Sequence, residues 1–122
     1  MTELLEKRLR FTRHLTDLIV HFNQKPGVDV AYGRDFDEQY ERTKDGKPLR
    51  HMRGSLHYLG LANDVALYLH GKYQENTEAY AEMGAYWKSL DVDNRWGGEF
   101  RDKKGNPAPD GCHFSIEYQG RK

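Results

Sequence analysis

The spacing of apolar side chains changes period along this chain, and that change constrains the fold more than any other feature. Near the start, Leu4, Phe11, Leu15, Leu18, Ile19 and Phe22 recur at three- and four-residue intervals, with Lys7, Arg8, Arg10, Arg13 and Asp17 on other faces. This predicts an amphipathic helix over residues 3–24, capped by Thr2 and stopped by Pro26-Gly27. Tyr80, Met83, Trp87 and Leu90 line one face of a second helix, predicted over 77–90 behind Asn76 or Thr77. Elsewhere the pattern is that of strands: 28–32, 61–70, 95–100 and 113–118, with Gly71-Lys72 turning into a short return strand at Lys72-Tyr73. Asp35 is placed to cap a brief helix through Arg42, packed by Phe36 and Tyr40. The polar stretches 43–54 and 101–110, each carrying proline, read as surface loops. The expected fold is α+β: a single compact domain over 1–122, with a small antiparallel sheet flanked by helices.

Charge narrows the function. Nineteen Lys and Arg balance nineteen Asp and Glu, so the chain has no basic excess to hold a phosphate backbone, and no nucleic-acid partner is expected. Mean hydropathy is low, at -0.95, yet eight Tyr, five Phe and two Trp supply large core-forming rings. With Cys112 the sole cysteine, an intrachain disulfide and a four-cysteine zinc site are both excluded. By strand alternation Cys112 should point away from His113, as a small buried residue. No apolar run approaches the ~20 residues that cross a bilayer, so no membrane insertion is expected. The charged start, Met1 to Glu6, is unlike a signal peptide, which predicts synthesis in the cytoplasm.

The stretch that carries chemistry is Ser55-Leu56-His57-Tyr58-Leu59-Gly60-Leu61-Ala62-Asn63-Asp64. A histidine precedes an aspartate by seven positions, and the small residues Gly60 and Ala62 let the chain fold back closely between them. Asp110-Gly111-Cys112-His113 offers another carboxylate and imidazole, three positions apart. Two imidazoles and one carboxylate make a three-ligand zinc set with the fourth position open to water, and a remaining acid nearby can take that water's proton. Taken alone, the same residues also suit ordinary polar positions at strand ends. His14 and His21 lie two helical turns apart, too far for one ion, and read as rim residues; His51 and His70 read as loop and turn residues.

The string Ser55-x-His57-x-x-Gly60-x-Ala62-x-Asp64 resembles the signature of the M15 metallopeptidases, which include D-Ala-D-Ala peptidases and phage L-alanyl-D-glutamate endolysins. The resemblance continues through Arg95-Trp96-Gly97-Gly98 and Asp110-Gly111-Cys112-His113, and upstream through Gly33-Arg34 and Gln39, covering roughly 28–118 in order. It implies a fold of the hedgehog and D-Ala-D-Ala peptidase type. It implies zinc on His57, Asp64 and His113, with Asp110 as general base, a role that glutamate often fills in the family. Arg34 would stabilise the oxyanion, and Ser55 would orient substrate or the first zinc ligand. Gln39 and Trp96 would line the substrate site, although Trp96 also suits a core position.

The implied activity is zinc-dependent cleavage of peptidoglycan stem peptides by a monomer. An L-alanyl-D-glutamate endopeptidase acting as a phage endolysin is favoured by the compact layout over a D-Ala-D-Ala carboxypeptidase or dipeptidase. Such an enzyme would gather in the host cytoplasm and reach the wall after release by a separate membrane-permeabilising protein. A non-catalytic zinc-containing cell-wall-binding module is the competing class, and the acid at Asp110 argues against it.

Overall fold

In the computed structural model, residues 1–33 and 55–122 are described. Helix α1 runs Glu3–Asn23. Thr2 caps it by accepting the Leu5 N–H at 3.2 Å, and Gly27, at φ +73°, lets the chain turn back into strand β1, Val28–Tyr32. Asn23 ties that turn together: its side chain accepts from the Val30 N–H at 2.8 Å and donates to the Val30 carbonyl at 2.9 Å. The expected helix over 35–42 and loop over 43–54 lie outside the described residues.

Strand β2, Ala62–Leu69, organises the rest. Its C-terminal part pairs with β1, from Val28 opposite Leu69 to Tyr32 opposite Val65. Its first three residues pair instead with β5, His113–Ile116, which pairs in turn with β4, Asn94–Trp96. The short β3, Lys72–Tyr73, returns along the end of β2. All these pairings are antiparallel, in the order β1-β2-β5-β4. Where β2 leaves β5, Tyr80 fills the gap. Its hydroxyl accepts the Leu67 N–H at 3.2 Å and donates to the Gln74 carbonyl at 3.0 Å. Burial pushes that phenol up to about 12.

The core lies between the helices and one face of the sheet. Phe11, Leu15, Leu18 and Phe22 of α1 meet Val30, Val65, Leu67, Phe114 and Ile116, together with Met83 and Trp87 of helix α2, Ala81–Leu90. Trp87 is fully buried and donates its indole N–H to the carbonyls of Arg95 and Ser115, both at 3.0 Å. It meets Phe11 and Phe114 edge-on, at 5.7 and 5.8 Å. Lys7 and Arg10 on α1 pair with Asp91 and Asp93, which clamps the helix to the turn before β4.

Besides one-residue shifts at the ends of α1 and β2, three boundaries differ from those the sequence predicts. The helix over 77–90 opens with a tight 3-10 turn at Thr77–Tyr80 before the α-helix proper. The strand over 95–100 stops at Trp96, because Gly97 presses its backbone against Asp110 and the chain turns there. The last strand ends at Ile116; the Glu117 N–H still donates to the Asp93 carbonyl in register with β4, and the chain then turns at Gln119-Gly120, both at positive φ. The fold class is α+β with an antiparallel sheet and flanking helices, as expected.

Candidate metal centre

The turn that presents His57 is built by its neighbours. Ser55 Oγ accepts the His57 backbone N–H at 3.2 Å. The N–H groups of Tyr58, Leu59 and Leu61 bond back to the Ser55 and Leu56 carbonyls. Gly60 closes the turn at φ +74°, where an L side chain would be strained. Arg8 donates its Nε–H to the Leu59 carbonyl at 2.6 Å, fastening this turn to α1. Ser55 thus contacts His57 through its backbone N–H.

Sheet register brings in the other two groups. Asp64 and His113 stand directly opposite each other across β2 and β5, so their side chains share a face. His57 Nε2 lies 3.1 Å from His113 Nδ1 and 3.8 Å from Asp64 Oδ1. His113 Nδ1 lies 3.7 Å from the same oxygen. Asp64 and His113 are each only 6% exposed. Lone pairs of two imidazoles and a carboxylate repel at such range in a dry setting unless a proton or a cation lies among them. Around a tetrahedral zinc with bonds of about 2.1 Å, ligand atoms stand about 3.4 Å apart. The three separations here bracket that figure, so the donor set fits zinc.

Asp110 stands beside this triad on an exposed loop. Carboxylate oxygens of Asp64 and Asp110 and the Cys112 sulfur all lie within 4.8 Å of one another. The Cys112 thiol donates to Asp110 Oδ1 at 3.4 Å. Backbone contacts set the position of Asp110: its N–H donates to the Gly97 carbonyl at 2.8 Å, and its carbonyl accepts the His113 N–H at 3.0 Å. A Cβ on Gly97 would sit 2.1 Å from the Asp110 carbonyl oxygen and 2.8 Å from His113 Cβ. Only glycine permits this approach.

Trp96 is half-buried, with its ring against Gly84 and Gly98. It donates its indole N–H to the Gly111 carbonyl at 2.7 Å, so its contacts hold the Asp110–Cys112 turn. Phe100 covers His113, with ring centroids 5.0 Å apart. Cys112 is the correction. It is half-buried rather than buried, and its sulfur lies on the Asp64 side. The residue precedes β5, in a turn where strand alternation does not operate.

Arg34, Gln39 and His51 lie outside the described residues. Gly33, the residue before Arg34, donates its N–H to the Asp64 carbonyl at 2.6 Å, so the chain leaves the described part beside a triad member. On the α1 side of His57 a cavity of about 140 Å³ is bounded by Phe11, Thr12, Tyr58 and Asn63. The buried Asn63 Oδ1 has no hydrogen-bond partner among the described residues. The sequence did not single out Asn63. In Asn63 the available signal was a polar residue one step from Asp64, hence on the core-facing side of the strand.

No protein-family model and no curated protein matches this chain. Among solved structures it is similar to the crystal structure of Serratia marcescens L-Ala D-Glu endopeptidase ChiX. The identity is 22% and the TM-score 0.48, over 88% of this chain and 86% of that one.

Proposed function

We propose that this chain is a zinc-dependent peptidase of bacterial peptidoglycan, cutting the L-alanyl-D-glutamate bond of stem peptides in the manner of a phage endolysin. The observation that carries this reading is the buried triad of His57, Asp64 and His113, at 3.1–3.8 Å, with a separate exposed carboxylate at Asp110 alongside. A purely structural zinc site closes its coordination with a fourth protein ligand, whereas a catalytic one keeps three and leaves a position open. The order of these residues along the chain, and the small residues between them, match the M15 signature described above.

His57, Asp64 and His113 would hold the zinc, which would supply Lewis acidity to a scissile carbonyl and acidify a water toward a pKa of ~7. The remaining chemistry falls to side chains. Asp110 takes the proton of the attacking water and returns it to the leaving amine, and its place on a solvent-facing loop lets substrate and water reach it. Arg34 stabilises the oxyanion with a charge-assisted hydrogen bond. Ser55 holds the His57 turn. Trp96 fixes the turn that carries Asp110, and Gln39 contacts the stem peptide. Among the described residues no helix is long and apolar enough to cross a membrane, which is compatible with action by a released enzyme.

The test is digestion of purified peptidoglycan followed by mass spectrometry of the fragments. New amino termini on D-glutamate, absent with chelator and restored by zinc, are expected. Fragments beginning elsewhere would move the activity to another bond, and intact stem peptides after zinc loading would end the peptidase reading.

A further inference from the structure

The triad does not use all the metal-ligating groups at this place. Asp64, Asp110 and Cys112 form a second convergent set, with one donor atom from each lying within 4.8 Å of the other two. Atoms bound to one ion at 2.0–2.3 Å stand no more than about 4.6 Å apart. The 3.4 Å pair of Cys112 sulfur and Asp110 Oδ1 is already inside that span. A carboxylate has two oxygens, so Asp64 can face the triad with one and this set with the other, as carboxylates do in two-metal sites. Exposure rises outward from buried Asp64 through half-buried Cys112 to exposed Asp110, which gives a cation a path from solvent.

We propose that Asp64, Asp110 and Cys112 form a second divalent-cation site, and that its occupation by excess zinc switches off the peptidase by taking Asp110 out of proton transfer. On binding, the Cys112 thiol gives its proton to solvent, and the thiolate and the Asp110 carboxylate turn to the ion in place of each other. A soft thiolate beside two carboxylates selects zinc, cobalt or cadmium over magnesium and calcium. This site is weaker than the triad, because Asp110 is solvent-exposed, Cys112 is only half-buried, and a neighbouring cation opposes the second one. The inhibitory part rests on the peptidase reading above; the binding part does not.

Cobalt titration of the full chain separates the two. Wild type should take two equivalents, the weaker one bringing a near-ultraviolet thiolate-to-cobalt band. Cys112→Ser and Cys112→Ala should keep one equivalent and lose the band. His57→Ala should lose the tighter equivalent and keep the band. In peptidoglycan digestion, the zinc concentration that inhibits should rise at least about 10-fold in Cys112→Ser, since losing even an outer-shell partner costs about 10–100-fold in metal affinity. Saturation at one equivalent, or a second one unchanged in both Cys112 variants, would overturn the site. An inhibitory zinc concentration equal in wild type and Cys112→Ser would overturn the switch. Should no peptide be cut at all, the peptidase reading falls, while the thiolate band still decides whether the site exists.

Discussion

Gly97→Ala tests whether the site depends on one close backbone approach. No positive φ protects this glycine, so alanine can adopt its backbone conformation, and the whole effect must come from the added methyl. That methyl would lie 2.1 Å from the Asp110 carbonyl oxygen, against an ordinary contact of 3.4 Å or more. The neighbour must therefore retreat by about 1.3 Å, and it is backbone, which cannot swing aside as a side chain can. The loop beyond it, 101–110, is exposed and can absorb the movement. His113 cannot, because it is held in β5 opposite Asp64. Overpacking of this kind costs about 1–3 kcal/mol. The displacement falls on the proposed base, and a shift of about 1 Å near a reacting centre can cost about 100-fold in rate.

The comparison variant is Gly105→Ala, on the same loop. There φ is +84°, and among the described residues nothing lies within 4 Å of an added Cβ. It should lose about 1–2 kcal/mol to left-handed backbone strain and keep its activity. Chemical denaturation gives the stability of both variants, and peptidoglycan digestion gives the rates. Gly97→Ala with wild-type rate, or Gly105→Ala with an equal loss of rate at equal stability, would refute the claim that Gly97 places Asp110.

Further outcomes follow from the same contacts. Asp110→Ala should lower the rate about 10²–10⁴-fold, as for removal of a general base, and retain the tighter zinc equivalent by metal analysis; loss of that equivalent would make Asp110 a ligand of the triad's ion instead. Tyr80→Phe leaves the Leu67 N–H without the hydroxyl it donates to. It should destabilise the fold by about 1–3 kcal/mol in urea, and an unchanged midpoint would show that water replaces the hydroxyl. The pH response should come from Asp91 and Asp93. Burial pulls the Asp91 carboxyl up, but its hydrogen bond from Arg10 and its charged neighbours hold it below the usual carboxylate value. The Lys7 ammonium does the same for Asp93. Depressed folded values mean that this stability is present above the unfolded carboxylate range and is lost as pH falls through the folded values. Arg10→Ala should be about 1 kcal/mol less stable than wild type near neutral pH. The difference should vanish in acid, and a constant difference would assign the loss to packing.

What the sequence could convey depended on how local each contact is. Helix α1 was legible because its burial stripe is written in three- and four-residue steps, and Phe11, Leu15, Leu18 and Phe22 are the residues it buries. The period-two stretches gave the strands but not where they stop. Alternation through Arg95–Phe100 says nothing of Asp110, whose contact with Gly97 ends β4 from elsewhere in the chain. Cys112 shows the same limit at the scale of one residue. Had β5 begun one position earlier, Cys112 would point away from Asp64; because it begins at His113, the sulfur lies among the acids. The register that sets Asp64 opposite His113 is likewise non-local, and periodicity alone could not supply it. A ligand motif supplies it indirectly. Two imidazoles and a carboxylate can share one ion only in registers that bring them together, so the chemistry of the motif restricts strand pairing as well as function. Gly60 and Ala62 belong to that restriction. The first turns at positive φ between His57 and β2, and the second packs in the core opposite Ser115, where both side chains are small and buried. A side chain at Gly60 would be strained by that φ, and a larger one at Ala62 would overpack its buried pairing with Ser115.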